Sequence, residues 1–371
     1  MSNDIQIHRG LAGVVVDTTA ISNVVPELNS LTYRGYAVQD LAAACSFEEV
    51  AFLIWHGELP DPDELHRFRD TQAMLRDPSP NVISVIDRLP TTCHPMDVVR
   101  TAISLIGADD EVPASTQSRA EALFAVLPSI VAFDYRRRRG LTQIKSDPSL
   151  NYTDNFFYMC FGHVPAHEIA HCFEISMILY AEHGFNASTF AARVVTSTLS
   201  DIYSAVTAAV GTLKGPLHGG ANEAVMHMML AIDDPARAAD WLRSELAAQR
   251  KVMGFGHRVY KNADSRVPTM KSALDSMANV ANGKRWIDMY SVLERAMHDA
   301  KGIWPNLDFP TGPAYYLMGF DIPMFTPLFV MSRITGWTAH IAEQQASNSL
   351  IRPLSVYVGE KPRAIPGRQS L

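Results

Sequence analysis

Cysteine is scarce in this chain, with four among 371 residues. Cys45, Cys93, Cys160 and Cys172 stand far apart and form no C-x-x-C pair. That excludes a disulfide framework and a zinc ribbon, and leaves reduced, buried thiols as the plain reading. Positive charge is not in excess either. The formal net charge is −7, so no global basic field favours nucleic acid or an anionic membrane. The longest basic run, Arg136 to Arg139, reads as a solvated helix end. No apolar stretch approaches bilayer-spanning length, and residues 1–10 hold no hydrophobic signal core. The expectation is a cytoplasmic protein with no membrane or nucleic-acid partner. Internal repeats, low-complexity tracts and linkers are also missing, so composition marks no domain boundary. The βαβ alternation of a doubly wound sheet is absent as well.

What is present is a 47% hydrophobic chain, enough for a sizeable core in one large domain or two. Helical periodicity dominates. Ser46 with Glu49 predicts a capping box, followed by the apolar face Val50, Leu53 and Ile54 and a stop at Gly57 and Pro60. Val99, Ala102, Ile103 and Ile106 repeat the pattern before Gly107. Phe190, Val194, Ile202, Val206 and Val210, interleaved with small residues, predict one central buried helix over 188–210. Thr326 and Pro327 have N-cap and N1 chemistry for a helix through about Glu343. Strand signals are few: Leu11 to Val16 and Ser355 to Val358 are the candidates. The fold class is therefore mainly α.

Two tempting motifs each lack a residue. Gly254-Phe255-Gly256 has Val259 where a dinucleotide loop needs its third glycine. His167-Glu168-Ile169-Ala170-His171 fits H-E-x-x-H, the pattern of a zinc peptidase. The extended version needs a histidine where Met177 stands, and no glutamate lies between His183 and Asn222 to replace it. The pair reads as ordinary helix histidines, and no metal is expected.

Three loops carry acid–base groups. Gly-Pro-Leu-His-Gly-Gly-Ala-Asn (Gly215 to Asn222) holds His218, Gly-Phe-Gly-His-Arg-Val-Tyr-Lys (Gly254 to Lys261) holds His257, and Trp-Pro-Asn-Leu-Asp-Phe (Trp304 to Phe309) holds Asp308. Glycine lets backbone approach a ligand closely. Two imidazoles and one carboxylate suit removal of a carbon-bound proton with stabilisation of the oxyanion that forms. Arg333 lies in a helical stretch among Phe329, Val330, Ile334 and Trp337, so it is expected to be buried and to need an anionic partner. Arg266 and Arg352 read by themselves as surface charges.

In this order, these stretches resemble the citrate synthase family over almost the whole chain. Leu31 to Tyr36, Glu182 to Phe190, Ser332 to His340 and Ile351 to Pro353 extend the resemblance. The wording around Asp308 is most similar to the 2-methylcitrate synthase branch. The resemblance implies a large helical domain (1–218 and 313–371), a smaller inserted helical domain (219–312), and a homodimer with composite active sites. It implies condensation of oxaloacetate with an acyl-CoA and hydrolysis of the bound thioester. No cofactor is held permanently, because acyl-CoA arrives as co-substrate. Asp308 is then the base, His218 the donor to the thioester oxygen, and His257 the group that polarises the keto carbonyl and protonates the new alkoxide. His183, Arg266, Arg333 and Arg352 are the matching keto-acid ligands. Phe255, Gly256, Val259 and Lys261 match the coenzyme A segment.

Many family members continue from the aspartate as Asp-Phe-Tyr-Ser-Gly, whereas this chain reads Asp308-Phe309-Pro310-Thr311-Gly312. Losing the ring makes room for one more methyl group, so propanoyl-CoA is the expected donor and acetyl-CoA the alternative. A zinc peptidase and a non-catalytic helical scaffold are the readings from other classes. A scaffold has no need for His218, His257 and Asp308 together.

Overall fold

The computed structural model describes residues 7–110, 114–257, 259–260, 263–363 and 366. The chain opens on a small antiparallel sheet of β1 (Ser22–Val25), β2 (Ser30–Tyr33) and β3 (Tyr36–Ala37), in the order β1-β2-β3. Helices follow: α1 (Val38–Ala44), α2 (Phe47–His56), α3 (Pro62–Leu75), α4 (Pro80–Arg88), α5 (Pro95–Asp109), α6 (Thr116–Arg138), α7 (Tyr152–Phe161) and α8 (His167–Tyr180). The second half holds α9 (Ala187–Ser197), α10 (Ile202–Leu213), α11 (Ala221–Ile232), α12 (Pro235–Ala247), α13 (Val267–Val280), α14 (Lys284–Lys301), α15 (Asp308–Leu317) and α16 (Phe325–Ala346). Side-chain caps set many of the starts. Ser46 and Asp61 each close a reciprocal capping box, with Glu49 and Glu64, and Asp61, Ser79 and Asp234 are each followed by proline at N1.

α16 is the axis of the molecule. Phe325, Leu328, Val330, Met331, Ile334, Trp337 and Ile341 on it are all buried, and it packs on α2, α6, α8, α9 and α10. α11 and α13 pack on α15, α13 also on α8, and α12 on α14. These helices share one apolar core with α16. Among the described residues no helix is long and apolar enough to cross a membrane.

Several local expectations need correction. Neither Leu11–Val16 nor Ser355–Val358 forms a strand: both stretches are largely exposed and have no strand partner among the described residues. The single helix over 188–210 is two helices, because Leu199 turns the chain at φ +66° and the Asp201 side chain caps α10 through the Ser204 N–H at 2.8 Å. Thr326 does not cap α16, which starts one residue earlier. Its hydroxyl instead donates to Glu223 on α11. Arg136 to Arg139 are not a solvated run. Arg136 donates to the Cys160 carbonyl at 2.8 Å, Arg137 and Arg138 share Asp134, and Arg139 stacks on Tyr135 and pairs with Asp321. The four cysteines are free thiols, with Cys160 and Cys172 buried.

Candidate active site

Backbone geometry joins two of the loops. Gly254 and Gly256 take φ of +85° and +75°, and the segment pairs with the residues before α15. Phe255 bridges Pro305, the Gly256 N–H donates to the Trp304 carbonyl at 2.9 Å, and the Asn306 N–H donates to the Gly254 carbonyl at 2.9 Å. A Cβ at Gly254 would strike Val225 and Phe309, so only glycine allows this approach. The pairing ties the loop that carries His257 to the first turn of α15, where Asp308 begins the helix. The Asn306 side chain reinforces it, donating to the Gly256 carbonyl at 2.9 Å and accepting the Asp308 N–H at 3.1 Å.

Each catalytic candidate histidine has its tautomer set by backbone donors. The Ser188 N–H reaches His218 Nε2 at 3.3 Å, and the Ser188 hydroxyl lies 2.8 Å from the same nitrogen. Nε2 is thus an acceptor, and the ring proton of the neutral form sits on Nδ1. For His257 the arrangement is reversed. Nδ1 accepts the N–H groups of Val259 and Tyr260 at 3.0 and 3.2 Å, so Nε2 carries the proton. Burial lowers both rings to about 4, with Arg333 adding to the effect at His218 and Arg266 at His257. Both are neutral donors at physiological pH. The His183 ring lies 5.0 Å from that of His257. It is held neutral by burial, then by Arg266 and His257, and its buried Nε2 has no hydrogen-bond partner among the described residues.

Cationic groups close the corner. Arg333 is buried, as its sequence context predicts, but among the described residues no carboxylate lies within ion-pair distance of it. Its Nε donates to the Tyr180 carbonyl at 2.6 Å and its guanidinium lies 4.8 Å from the Phe329 ring centroid. Burial lowers its pKa to about 10 against the opposing charge of Glu182, so it stays a cation. Arg266 is not the surface charge its local sequence suggests. It is buried and forks onto Asp264, Nε to Oδ1 at 2.9 Å and Nη2 to Oδ2 at 2.7 Å. Burial favours neutral Asp264, but the Arg266 guanidinium outweighs it and holds that carboxyl far below its usual range. The third nitrogen of Arg266 makes only a 3.5 Å contact to the Leu179 carbonyl, which leaves it open to an anionic ligand. Arg352 is not gathered with the others. It is exposed, in the irregular segment after α16.

Asp308 is partly buried at the N-terminus of α15 and accepts the Tyr180 hydroxyl at 2.6 Å on Oδ1. Burial raises its carboxyl to about 6, opposed by that hydrogen bond and by Arg266 and Arg333. Asp308 shares the field of Arg333 with His218 and that of Arg266 with His257. A carboxylate of that basicity in one corner with two neutral imidazole donors is equipped to move a proton from carbon. Pro310 and Thr311 are both buried in the next turn, and the Thr311 hydroxyl donates to the Leu307 carbonyl at 2.7 Å.

The remaining candidates divide. The Phe255 ring packs 4.4 Å from that of Phe309, Val259 is exposed, and Lys261 lies outside the described residues. His167 and His171 stack on one face of α8 with ring centroids 5.5 Å apart, and among the described residues no cluster of three metal-ligating groups exists. Sequence reasoning missed Tyr180, Asp264 and Asn306. It also missed a buried chain in which Arg193 donates to His340 Nδ1 at 3.0 Å and His340 Nε2 to Glu182 at 2.9 Å, beside His183. Asp264 was findable as the acid just before Arg266; Tyr180 carried no local signal.

Comparison with known proteins finds relatives over nearly the whole chain. A family model described as the C-terminal domain of citrate synthase matches residues 10–354. The chain is 64% identical to a 2-methylcitrate synthase of Mycobacterium tuberculosis, over 97% of this chain and 93% of that one. It is equally 64% identical to a citrate synthase of Mycolicibacterium smegmatis, over 97% of each chain. Among solved structures, the ternary complex of Thermoplasma acidophilum citrate synthase with carboxymethyl coenzyme A and oxaloacetate superposes with a TM-score of 0.93. The identity is 32%, covering 97% of this chain and 98% of that one.

Proposed function

The chain belongs to the citrate synthase family, and from that premise we infer that it condenses oxaloacetate with propanoyl-CoA, releasing 2-methylcitrate and CoA. The observation that carries this reading is the pair of neutral imidazoles with opposite tautomers beside a carboxylate of pKa about 6. Asp308 takes the α-proton of the acyl group. His218 Nδ1–H donates a hydrogen bond to the thioester oxygen, so the negative charge of the forming enolate is stabilised there. The α-carbon then attacks the keto carbon of oxaloacetate. His257 Nε2–H polarises that carbonyl and supplies the proton to the alkoxide; a neutral imidazole suffices as electrophile. Water finally cleaves the thioester. Arg333, the open nitrogen of Arg266 and His183 hold the two keto-acid carboxylates. The Phe255, Gly256, Val259 and Lys261 segment receives coenzyme A. Residues 219–312 act as a small domain that closes on the large one once oxaloacetate is bound. No permanent cofactor is required, and the free thiols suit the reducing cytoplasm.

A relative of each name is 64% identical, but those at 52% and 53% are named 2-methylcitrate synthase, and Pro310 and Thr311 are the residues assigned to the acyl preference. One more buried methylene contributes about 0.8 kcal/mol, roughly a fourfold preference. The expected result is a higher kcat/KM for propanoyl-CoA than for acetyl-CoA, with both measurable. Pro310→Tyr combined with Thr311→Ser is expected to move the ratio toward acetyl-CoA. A wild-type preference for acetyl-CoA refutes the propanoyl assignment, and an unchanged ratio in the double variant shows that these residues do not set it.

The exposed C-terminal segment supports a homodimer. Leu354 is 89% exposed and Val358 92%, an apolar surface suited to burial against a second copy, with Arg352 brought to the partner's keto acid. Mixing Arg352→Ala with Arg333→Ala is expected to restore part of the lost activity, because some heterodimers then hold one complete site. Activity at the parental level despite demonstrated subunit exchange places Arg352 outside the partner's site.

A further inference from the structure

Asp308 works in a corner that burial makes hostile to its charge, and the direct side-chain contact to its carboxylate is the phenol of Tyr180 at 2.6 Å. We propose that Tyr180 is the positioning residue of the base: its hydroxyl fixes one Asp308 rotamer and keeps that carboxylate ionised near neutral pH. This rests on the reading of Asp308 as base, and the test below separates the two.

The geometry is specific. Tyr180 ends α8, and its buried ring packs at a tilt against Phe329 with the centroids 4.0 Å apart. Its own carbonyl accepts Arg333 Nε at 2.6 Å. One residue thus anchors the base through its side chain and the keto-acid arginine through its backbone. A phenol that remains protonated only donates to a carboxylate, and such a bond favours the charged acceptor. Tyr180 does remain protonated, since burial first and the Asp308 charge second raise it well above its ordinary value. The other charged groups facing Asp308 are Arg266 and Arg333, which also favour its charge, and Asp264, which opposes it; the Tyr315 phenol, itself held protonated by burial, adds no charge. Among the influences that keep Asp308 ionised, the Tyr180 hydrogen bond is the largest.

Tyr180→Phe keeps the ring and the backbone contact to Arg333 and removes only the hydroxyl. Without it the Asp308 pKa rises, so the acidic limb of kcat/KM is expected to move up by about one pH unit. The loss is then about fivefold greater at pH 6 than on the alkaline plateau, and approaches tenfold only well below pH 6. Oxaloacetate affinity by calorimetry is expected to be unchanged. In an Asp308→Asn background the same substitution is expected to cause no further loss, because Tyr180 acts through the carboxylate. A limb left at its wild-type position, with activity lowered equally at every pH, overturns the proposal while leaving the base assignment standing. Wild-type turnover in Asp308→Asn overturns both.

Discussion

Asp308→Asn is expected to lower turnover by about 10²–10⁴ while leaving the fold and both substrate sites intact. The amide matches the carboxylate in shape and still accepts the Tyr180 hydroxyl on its oxygen, but it cannot take a proton from carbon. Stability is expected to move the other way. The folded Asp308 pKa of about 6 lies above its ordinary 3.8, so the native state binds the proton more tightly than the unfolded chain. That contribution to stability is complete below about pH 4 and is lost as pH rises through about 6. At neutral pH the wild type therefore carries an ionised, partly buried carboxylate at a cost in stability, and the asparagine variant is expected to melt no lower. Calorimetric melting together with steady-state kinetics checks both parts. Near-wild-type turnover in a folded variant rejects Asp308 as the base.

His218→Ala and His257→Ala are each expected to be comparably severe, about 10²–10³ or more in kcat, since each removes a neutral donor from a site of developing negative charge. The variants are expected to be strongly non-additive. Once the enol oxygen has no donor, the proton abstraction that depends on it is already lost, and removing Asp308 as well takes away little more. The pH profile distinguishes the groups. Asp308 must be ionised, so activity falls as pH drops below about 6. The histidines must stay neutral but charge only near pH 4, so they add a second, steeper loss there. A histidine variant that shifts the limb near pH 6 without lowering the plateau contradicts this division of labour. So would a double variant with His218 and Asp308 both replaced whose losses multiply in full.

The parts of this site that were legible in the sequence are those made by local chemistry. His218, His257 and Asp308 stand out because their neighbours are loop formers, and Gly254 and Gly256 do take the positive φ that only glycine tolerates readily. The Ser46–Glu49 capping box was legible for the same reason. Arg333 was readable from the apolar residues around it. Contacts made across long sequence separations were not readable. Tyr180 is one more large residue at the end of an apolar helix until α15 brings Asp308 to its hydroxyl. Arg266 looked exposed because its burial comes from α8 and from residues before α15, not from its own segment. The Glu182–His340–Arg193 chain joins the end of α8 to α16 and α9. Period alone also misled. The repeat from Phe190 to Val210 continues across a break, and only the cap at Asp201 reveals two helices. Leu11 to Val16 has the apolar character of a strand but lacks a partner. The strands form instead over Ser22 to Ala37, where the turns at Asn29 and at Arg34 and Gly35 fold the chain back on itself.

The central claim is a condensation in which oxaloacetate, an acyl-CoA and Asp308 are all required. Thiol release tests it most directly, measured with propanoyl-CoA and with acetyl-CoA, with and without oxaloacetate, for the wild type and for Asp308→Asn. The expected result is release of CoA that depends on oxaloacetate, is matched by one 2-methylcitrate per thiol with propanoyl-CoA, and is nearly abolished in the variant. Absence of release with either donor, or release that proceeds equally well without oxaloacetate, contradicts the account.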